Sequence, residues 1–284
     1  MSHVGIGIIF LIVLIAVVIL FGNRNSIYSI KGETQTLTIF TSSNPINEWE
    51  FSQGQLFYLG LDLQEETFEL GHDIRLSEDD RLTVEPGTQI KVTSVHRQNQ
   101  TNVVFVMKND GKVVATLIKD GQQTSLSDYI ELTVEITQPL ALPFEGTAYI
   151  GEDIGTDVDS LLMSGEVSIL EQRFLSSGRY QGEVYNLNTG DRAFVTQHGN
   201  TTISKGFIRV TDNESFYFSA ISEGNEARVI RYGSQDLVLA PSIWSRVTKD
   251  PNVAAITSLI ALMFLLLECY LIIRETVLIK SDNE

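Results

Sequence analysis

Two long apolar runs, one near each end, constrain this chain more than any other feature. Val4 to Phe21 reads VGIGIIFLIVLIAVVILF, 18 residues without a charge. At about 1.5 Å per residue a helix of that length covers about 27 Å, close to a bilayer's hydrocarbon core. Val253 to Ile273, VAAITSLIALMFLLLECYLII, has 21 residues and covers about 31 Å. Lipid offers no hydrogen bonds, so such runs are expected to be helical. The expected fold class is therefore a membrane protein, with two transmembrane helices flanking a β-rich soluble domain, mainly β with some α. The alternatives are buried core helices or, for the first run, a cleaved signal peptide. No Lys or Arg precedes that run, and Phe21-Gly22-Asn23-Arg24 is not a small-x-small cleavage site. A retained signal anchor is expected. The organisation expected is helix 1–21, a β-rich part 30–138, a mixed part 139–248, helix 253–273 and a tail 274–284.

Charge narrows the function. Between Gly22 and Asp250 there are 32 acidic and 18 basic residues, a net of −14. Phosphate backbones need a basic surface, so no nucleic-acid partner is expected. Anionic headgroups are disfavoured for the same reason. The single cysteine, Cys269, rules out an intrachain disulfide or a thiolate metal site.

The middle of the chain alternates apolar and polar residues. Thr36 to Phe40, Leu56 to Leu63, Arg81 to Glu85, Gln89 to Val95 and Tyr129 to Ile136 all carry that pattern, which marks half-buried strands. Asn109-Asp110-Gly111 between two apolar runs predicts a hairpin, with a second turn at Asp120-Gly121. Pro139 and Pro143 suggest a seam over 138–152. Asp157 to Phe174 fits a helical stripe with Gly165 as its weak point. Strands resume at Tyr180 to Leu187, Arg192 to Thr196, Thr201 to Val210 and Phe216 to Ala220, and Glu226 to Tyr232 reads as the opening of a helix.

No catalytic pattern stands out. His3, His72, His96 and His198 are scattered, and G-x-S-x-G, G-x-x-x-x-G-K-[ST] and G-x-G-x-x-G after a strand are all missing from the sequence. The acid runs Glu78-Asp79-Asp80 and Glu152-Asp153 lack the spacing of a calcium loop. No catalytic residue, cofactor or metal is therefore expected. The pointed residue is Glu268, a carboxylate inside the second apolar run. It pairs with Arg274 at the interface, or it contacts another helix together with Ser258 and Ala254. Trp244 and Arg274 are read as interfacial anchors, with a core position the alternative for Trp244.

Val103 to Ala115, with its Asn-Asp-Gly, and Arg179 to Val195, with Thr189-Gly190-Asp191 before Arg192-Ala-Phe-Val, resemble segments of the GIDE-type family. These proteins carry a beside-a-membrane domain between two spans. The residues before about position 90 give no matching block, and no RING zinc ligands follow the second run. The resemblance implies a membrane-adjacent binding domain, facing outward with both tails cytoplasmic, and does not imply ligase activity. Charge counting alone favours the opposite orientation, since Arg24, Lys31, Arg246 and Lys249 flank the domain. Sequons at Asn99, Asn200 and Asn213 permit glycosylation outside. The function expected is non-enzymatic binding, sensing or scaffolding in an envelope or membrane assembly. Its partners would be the lipid bilayer and other membrane or envelope proteins, with a homo-oligomer open. The rivals are an enzyme with an unrecognised carboxylate site, and a pore or transporter accessory subunit.

Overall fold

Alternation of buried and exposed side chains governs the chain. A computed structural model describes residues 25–43, 47–51, 53–58, 61–62, 67–68, 72–97, 100–150, 162–211, 215–231 and 235–281. The strands among them are β1 (Ser26–Thr34), β2 (Thr36–Thr41), β3 (Glu48–Glu50), β4 (Gly54–Tyr58), β5 (Leu61–Asp62), β6 (Thr67–Phe68), β7 (His72–Leu76), β8 (Arg81–Val84), β9 (Gln89–Arg97) and β10 (Gln100–Lys119). There follow β11 (Gln122–Glu135), β12 (Leu140–Ile150), β13 (Leu162–Gln172), β14 (Arg179–Leu187), β15 (Arg192–Gln197), β16 (Asn200–Thr201), β17 (Ser204–Val210), β18 (Phe216–Gly224), β19 (Glu226–Ile230) and β20 (Leu237–Leu239). Two helices close the described chain, α1 (Ile243–Lys249) and α2 (Pro251–Ser281). All strands but β5 and β6 join one large sheet, and the pairings are antiparallel.

The chain divides into two compact units. The larger holds 25–169 and 183–240. In it β12 branches, with β17 and β2 on opposite sides of Gly146. Leu140 to Gly146 pair with β17, and Gly146 to Ile150 pair with β2. From β17 the ladder continues to β18 and β1. From β2 it continues through β9, β10, β11 and β4 to β7. β15, β19 and β20 extend it from the end of β12. A side chain at Gly146 would place its Cβ 2.2 Å from the Phe40 carbonyl oxygen, so only glycine allows the approach at this branch.

The core fills the inward face. Trp49, Phe51 and Phe105 are fully buried and pack edge-on or tilted, with ring centroids 5.3 to 6.2 Å apart. Each such ring contributes about 1.5–3 kcal/mol by leaving water. The Trp49 indole N–H donates to the Pro143 carbonyl at 2.7 Å, which satisfies its one polar atom.

The smaller unit, described over 170–182 and 241–281, is organised around Asp250 and Arg246. Asp250 is 1% exposed. Its backbone N–H donates to the Arg246 carbonyl and closes α1. Its carboxylate accepts from the Asn252 N–H at 2.8 Å and from the Phe174 N–H. With Pro251 in the first helical position, this caps α2. Asn252 Nδ2 returns a bond to the Phe174 carbonyl at 2.6 Å. The Arg246 guanidinium meets the Glu171 carboxylate at 3.4 Å, and both side chains are nearly enclosed.

Several expectations are corrected. The two-helix membrane architecture is the largest. The run 4–21 lies outside the described residues. The run 253–273 lies in α2, whose backbone is helical throughout, but its side chains are described without a break only over 251–259. Among the described residues no helix is long and apolar enough to cross a membrane. The structure supports a mostly β protein, and the two-pass cell-membrane placement, with outward domain and cytoplasmic tails, falls with the helices. Asp157 to Phe174 is not a helix where described. Leu162–Gln172 is β13, and Val167 and Ile169 are wholly buried. Glu226 to Ile230 pair with β15 as β19. Asp110-Gly111 does not turn the chain back. It lies inside β10 at a register shift between Asn109 and Val113, and the reversal occurs at Asp120-Gly121, where Lys119 pairs with Gln122. Both Asp120 and Gly121 have positive φ, 51° and 75°, as a type I′ turn requires.

Two stability tests follow from these contacts. Gly146→Ala is expected to cost about 1–3 kcal/mol by overpacking, read as a lower midpoint in urea unfolding. Glu171→Ala strands a buried guanidinium and is expected to cost about 3–5 kcal/mol, whereas the double change Glu171→Leu with Arg246→Met costs far less. Equal losses for the two would show that the ion pair does not govern the unit.

Candidate functional site

Because strands pair in register, residues far apart in sequence share one face of the sheet. On the outward face, Phe194 of β15 lies beside Tyr149 of β12, and Tyr149 beside Phe40 of β2, with ring centroids 5.8 and 6.0 Å apart. The Arg192 guanidinium sits 4.9 Å from the centre of the Tyr149 ring and 6.0 Å from that of Phe194. The Tyr149 hydroxyl is 3.2 Å from Thr201 Oγ1. The row continues through Gln89 of β9, which pairs with Phe40 on one side and with Lys108 on the other. Lys108 of β10 then pairs with Tyr129 of β11, its ammonium 5.7 Å from the ring centre. A cation over a ring contributes about 0.5–1 kcal/mol at an exposed site.

At the far end of this row the same face dips into a cleft of about 460 Å³, lined by Gln53, Gln55, Asp73, Arg75, Asn102, Thr133 and Glu135 among others. Pairing builds it. Gln55 faces Arg75 and Thr133, and Asn102 faces Glu135. The walls offer two carboxylates, a guanidinium, three amides and a hydroxyl. Such a set gives and accepts hydrogen bonds on every side. Gln55 Nε2 donates to Asp73 Oδ1 at 3.5 Å. Phe57 lies on the same face, paired with Asp73 and Glu131.

Among the described residues the electrostatics are perturbed at Asp80 and its partner Lys119, at Tyr129 and at Tyr185. Burial pushes the Asp80 carboxyl up, but hydrogen bonds from Lys119 Nζ at 2.7 Å and from the Ser77 N–H at 2.8 Å outweigh it, holding the group below its usual value. Burial and the Glu131 carboxylate raise the Tyr129 hydroxyl. The hydrogen bond to Glu183, with burial second, pushes Tyr185 up to about 12.

The residues singled out in the sequence do not gather here. Ser258 Oγ donates to the Ala254 carbonyl at 2.7 Å within α2. Trp244 is 75% exposed on α1 and takes no part in a core. The side chains of Glu268 and Arg274 lie outside the described residues, as do His3 and the Glu152-Asp153 run. Among the described residues no group of three or more His, Cys, Asp or Glu is placed to hold a metal ion. Asp80, the last residue of its acid run, is tied to Lys119. The sequence did not flag Tyr149, Arg192, Asp73 or Glu135, because their neighbours come from strands up to about a hundred residues away. Comparison with known proteins finds no family model, no curated relative and no solved structure that matches this chain.

Asp80 generates a pH test. Its folded pKa lies below the unfolded value of about 3.9. Its contribution is therefore complete above that value and is lost as pH falls through the lower folded pKa. Asp80→Asn is expected to be less stable at pH 7 and to lose less on acidification, measured by urea unfolding between pH 2 and 7. Parallel wild-type and variant curves would exclude the role.

Proposed function

We propose that this chain is a non-enzymatic binding or scaffolding protein that works through the outward face of its β unit. One observation carries the reading. The ring-and-cation row and the polar cleft lie on the same face, so a ligand seated in the cleft meets preset aromatic and cationic contacts beside it. The cleft is the size of a small-ligand site, and its mixed donors and acceptors suit an extended polar chain such as an oligosaccharide or a peptide backbone. This keeps the binding role expected from the sequence and drops the membrane anchoring.

Thermal unfolding of the full chain with panels of neutral oligosaccharides, uronic-acid oligosaccharides and extended peptides tests it. A ligand at a hundred times its Kd stabilises by about 2.7 kcal/mol, a shift of about 5–11 °C in Tm for a domain of this size. One class is expected to raise Tm, and Arg75→Ala or Gln55→Ala to remove the shift. No response from any class, or an unchanged shift in Arg75→Ala, counts against the proposal.

A second reading has its own support. Asp73 and Glu135 line one cleft, and paired carboxylates are what a glycoside hydrolase uses. Turnover of chromogenic glycosides that Glu135→Gln abolishes would make the cleft catalytic.

A further inference from the structure

We infer that the four-strand face β12–β17–β18–β1 is a self-association surface, which pairs with the same face of a second copy of this chain. The face lies on a different part of the sheet from the cleft and does not rest on its function. Its outward residues are read from the register. Phe207 faces Pro143 and Ser219, Arg209 faces Tyr217, and Lys205 faces Ile221. Phe207 is 56% exposed, Tyr217 45% and Ile221 49%, with Ile203 52% exposed just before β17. These are large apolar side chains grouped on adjacent strands. Scattered exposed apolar residues are ordinary, whereas a contiguous group marks a contact surface.

Charge selects the occupant. The whole chain carries a formal charge of −16. Two copies therefore repel over most of their surfaces. On this face Lys31, Lys205 and Arg209 balance Glu33, Glu145 and Glu223, so its net charge is zero. Lys205 is bonded to Glu145 at 2.9 Å, Asn25 donates to Glu223 at 3.4 Å and Ser215 donates to Glu33. Lys31 and Arg209 form no ion pair among the described residues. A twofold contact offers them the acids of the other copy, since an isologous interface sets each patch against itself. A strongly basic partner would gain nothing by choosing the neutral face of an acidic protein.

Size sets the strength. Four strands spaced at about 4.8 Å, over seven residues rising about 3.4 Å each, make a footprint of about 450 Å². That is below the roughly 800 Å² per partner of a standard interface, so the pairing is weak and depends on concentration.

Sedimentation of the full chain from 1 to 200 µM tests the proposal. Association through the exposed apolar side chains of α2 is told apart by the glutamate variants below, which leave that helix unchanged. A monomer–dimer transition in the micromolar range is expected. Phe207→Glu and Ile221→Glu, each checked for unchanged circular dichroism and Tm, should weaken it at least tenfold. In a Cys269→Ser background, Ser219→Cys should form an intermolecular disulfide on mild oxidation, while Lys112→Cys, on a distant bulge, should not. A chain that stays monomeric at 200 µM overturns the proposal. So does a dimer that neither glutamate variant weakens, or equal cross-linking at the two cysteine positions.

Discussion

Strand β12 is the constraint on which the larger unit depends. Its first half is laddered to β17 and its second half to β2, with Gly146 paired on both sides. No other residue type fits there, because a Cβ would collide with the Phe40 carbonyl. Everything on the outward surface follows from that branch. β17, β18 and β1 present one face, and β2, β9, β10, β11, β4 and β7 present another. Pro143, on the same strand, lends its carbonyl to Trp49 and so ties the branch to the aromatic core.

Polar groups follow the same economy. In an acidic chain cations are scarce, and several of them have a defined setting. Arg192 lies over rings, Lys119 anchors the buried Asp80 carboxylate, and Lys205 covers Glu145. Glu145 is itself 8% exposed and held by more than one contact. Its N–H donates to Asn47 Oδ1, and its carboxylate accepts from Ser42 Oγ and Lys205. A buried carboxylate is tolerable only when its lone pairs are met in this way. The outward face then gains local charge balance that the composition as a whole does not suggest.

The smaller unit solves a different problem. Two helices meet at Asp250, and a helix end leaves backbone groups without intrahelical partners. One carboxylate serves the Asn252 and Phe174 N–H groups, while Asn252 serves the Phe174 carbonyl. The Glu171–Arg246 pair then fixes the remaining charge inside the unit. Such a pair adds little net stability over apolar replacement, but losing one member is costly.

The sequence by itself determined the strands. Thr36 to Phe40, Gln89 to Val95, Arg192 to Thr196 and Phe216 to Ala220 alternate because one face is buried and the other is not, and that is a local property. Alternation does not say which strand pairs with which. The tertiary structure alone decided that Asp120-Gly121 turns the chain while Asp110-Gly111 becomes a bulge, since both dipeptides permit the same φ values. It alone turned Leu162–Gln172 into β13, because burial against other strands outweighed a loose helical spacing. The apolar run 253–273 was legible as helix, but the membrane crossing inferred from it was not upheld among the described residues. The cleft and the ring-cation row were not legible at all. Arg75 and Thr133 flank Gln55, and Arg192 meets Tyr149, only through registers set by contacts across the whole sheet, and no local pattern encodes a register.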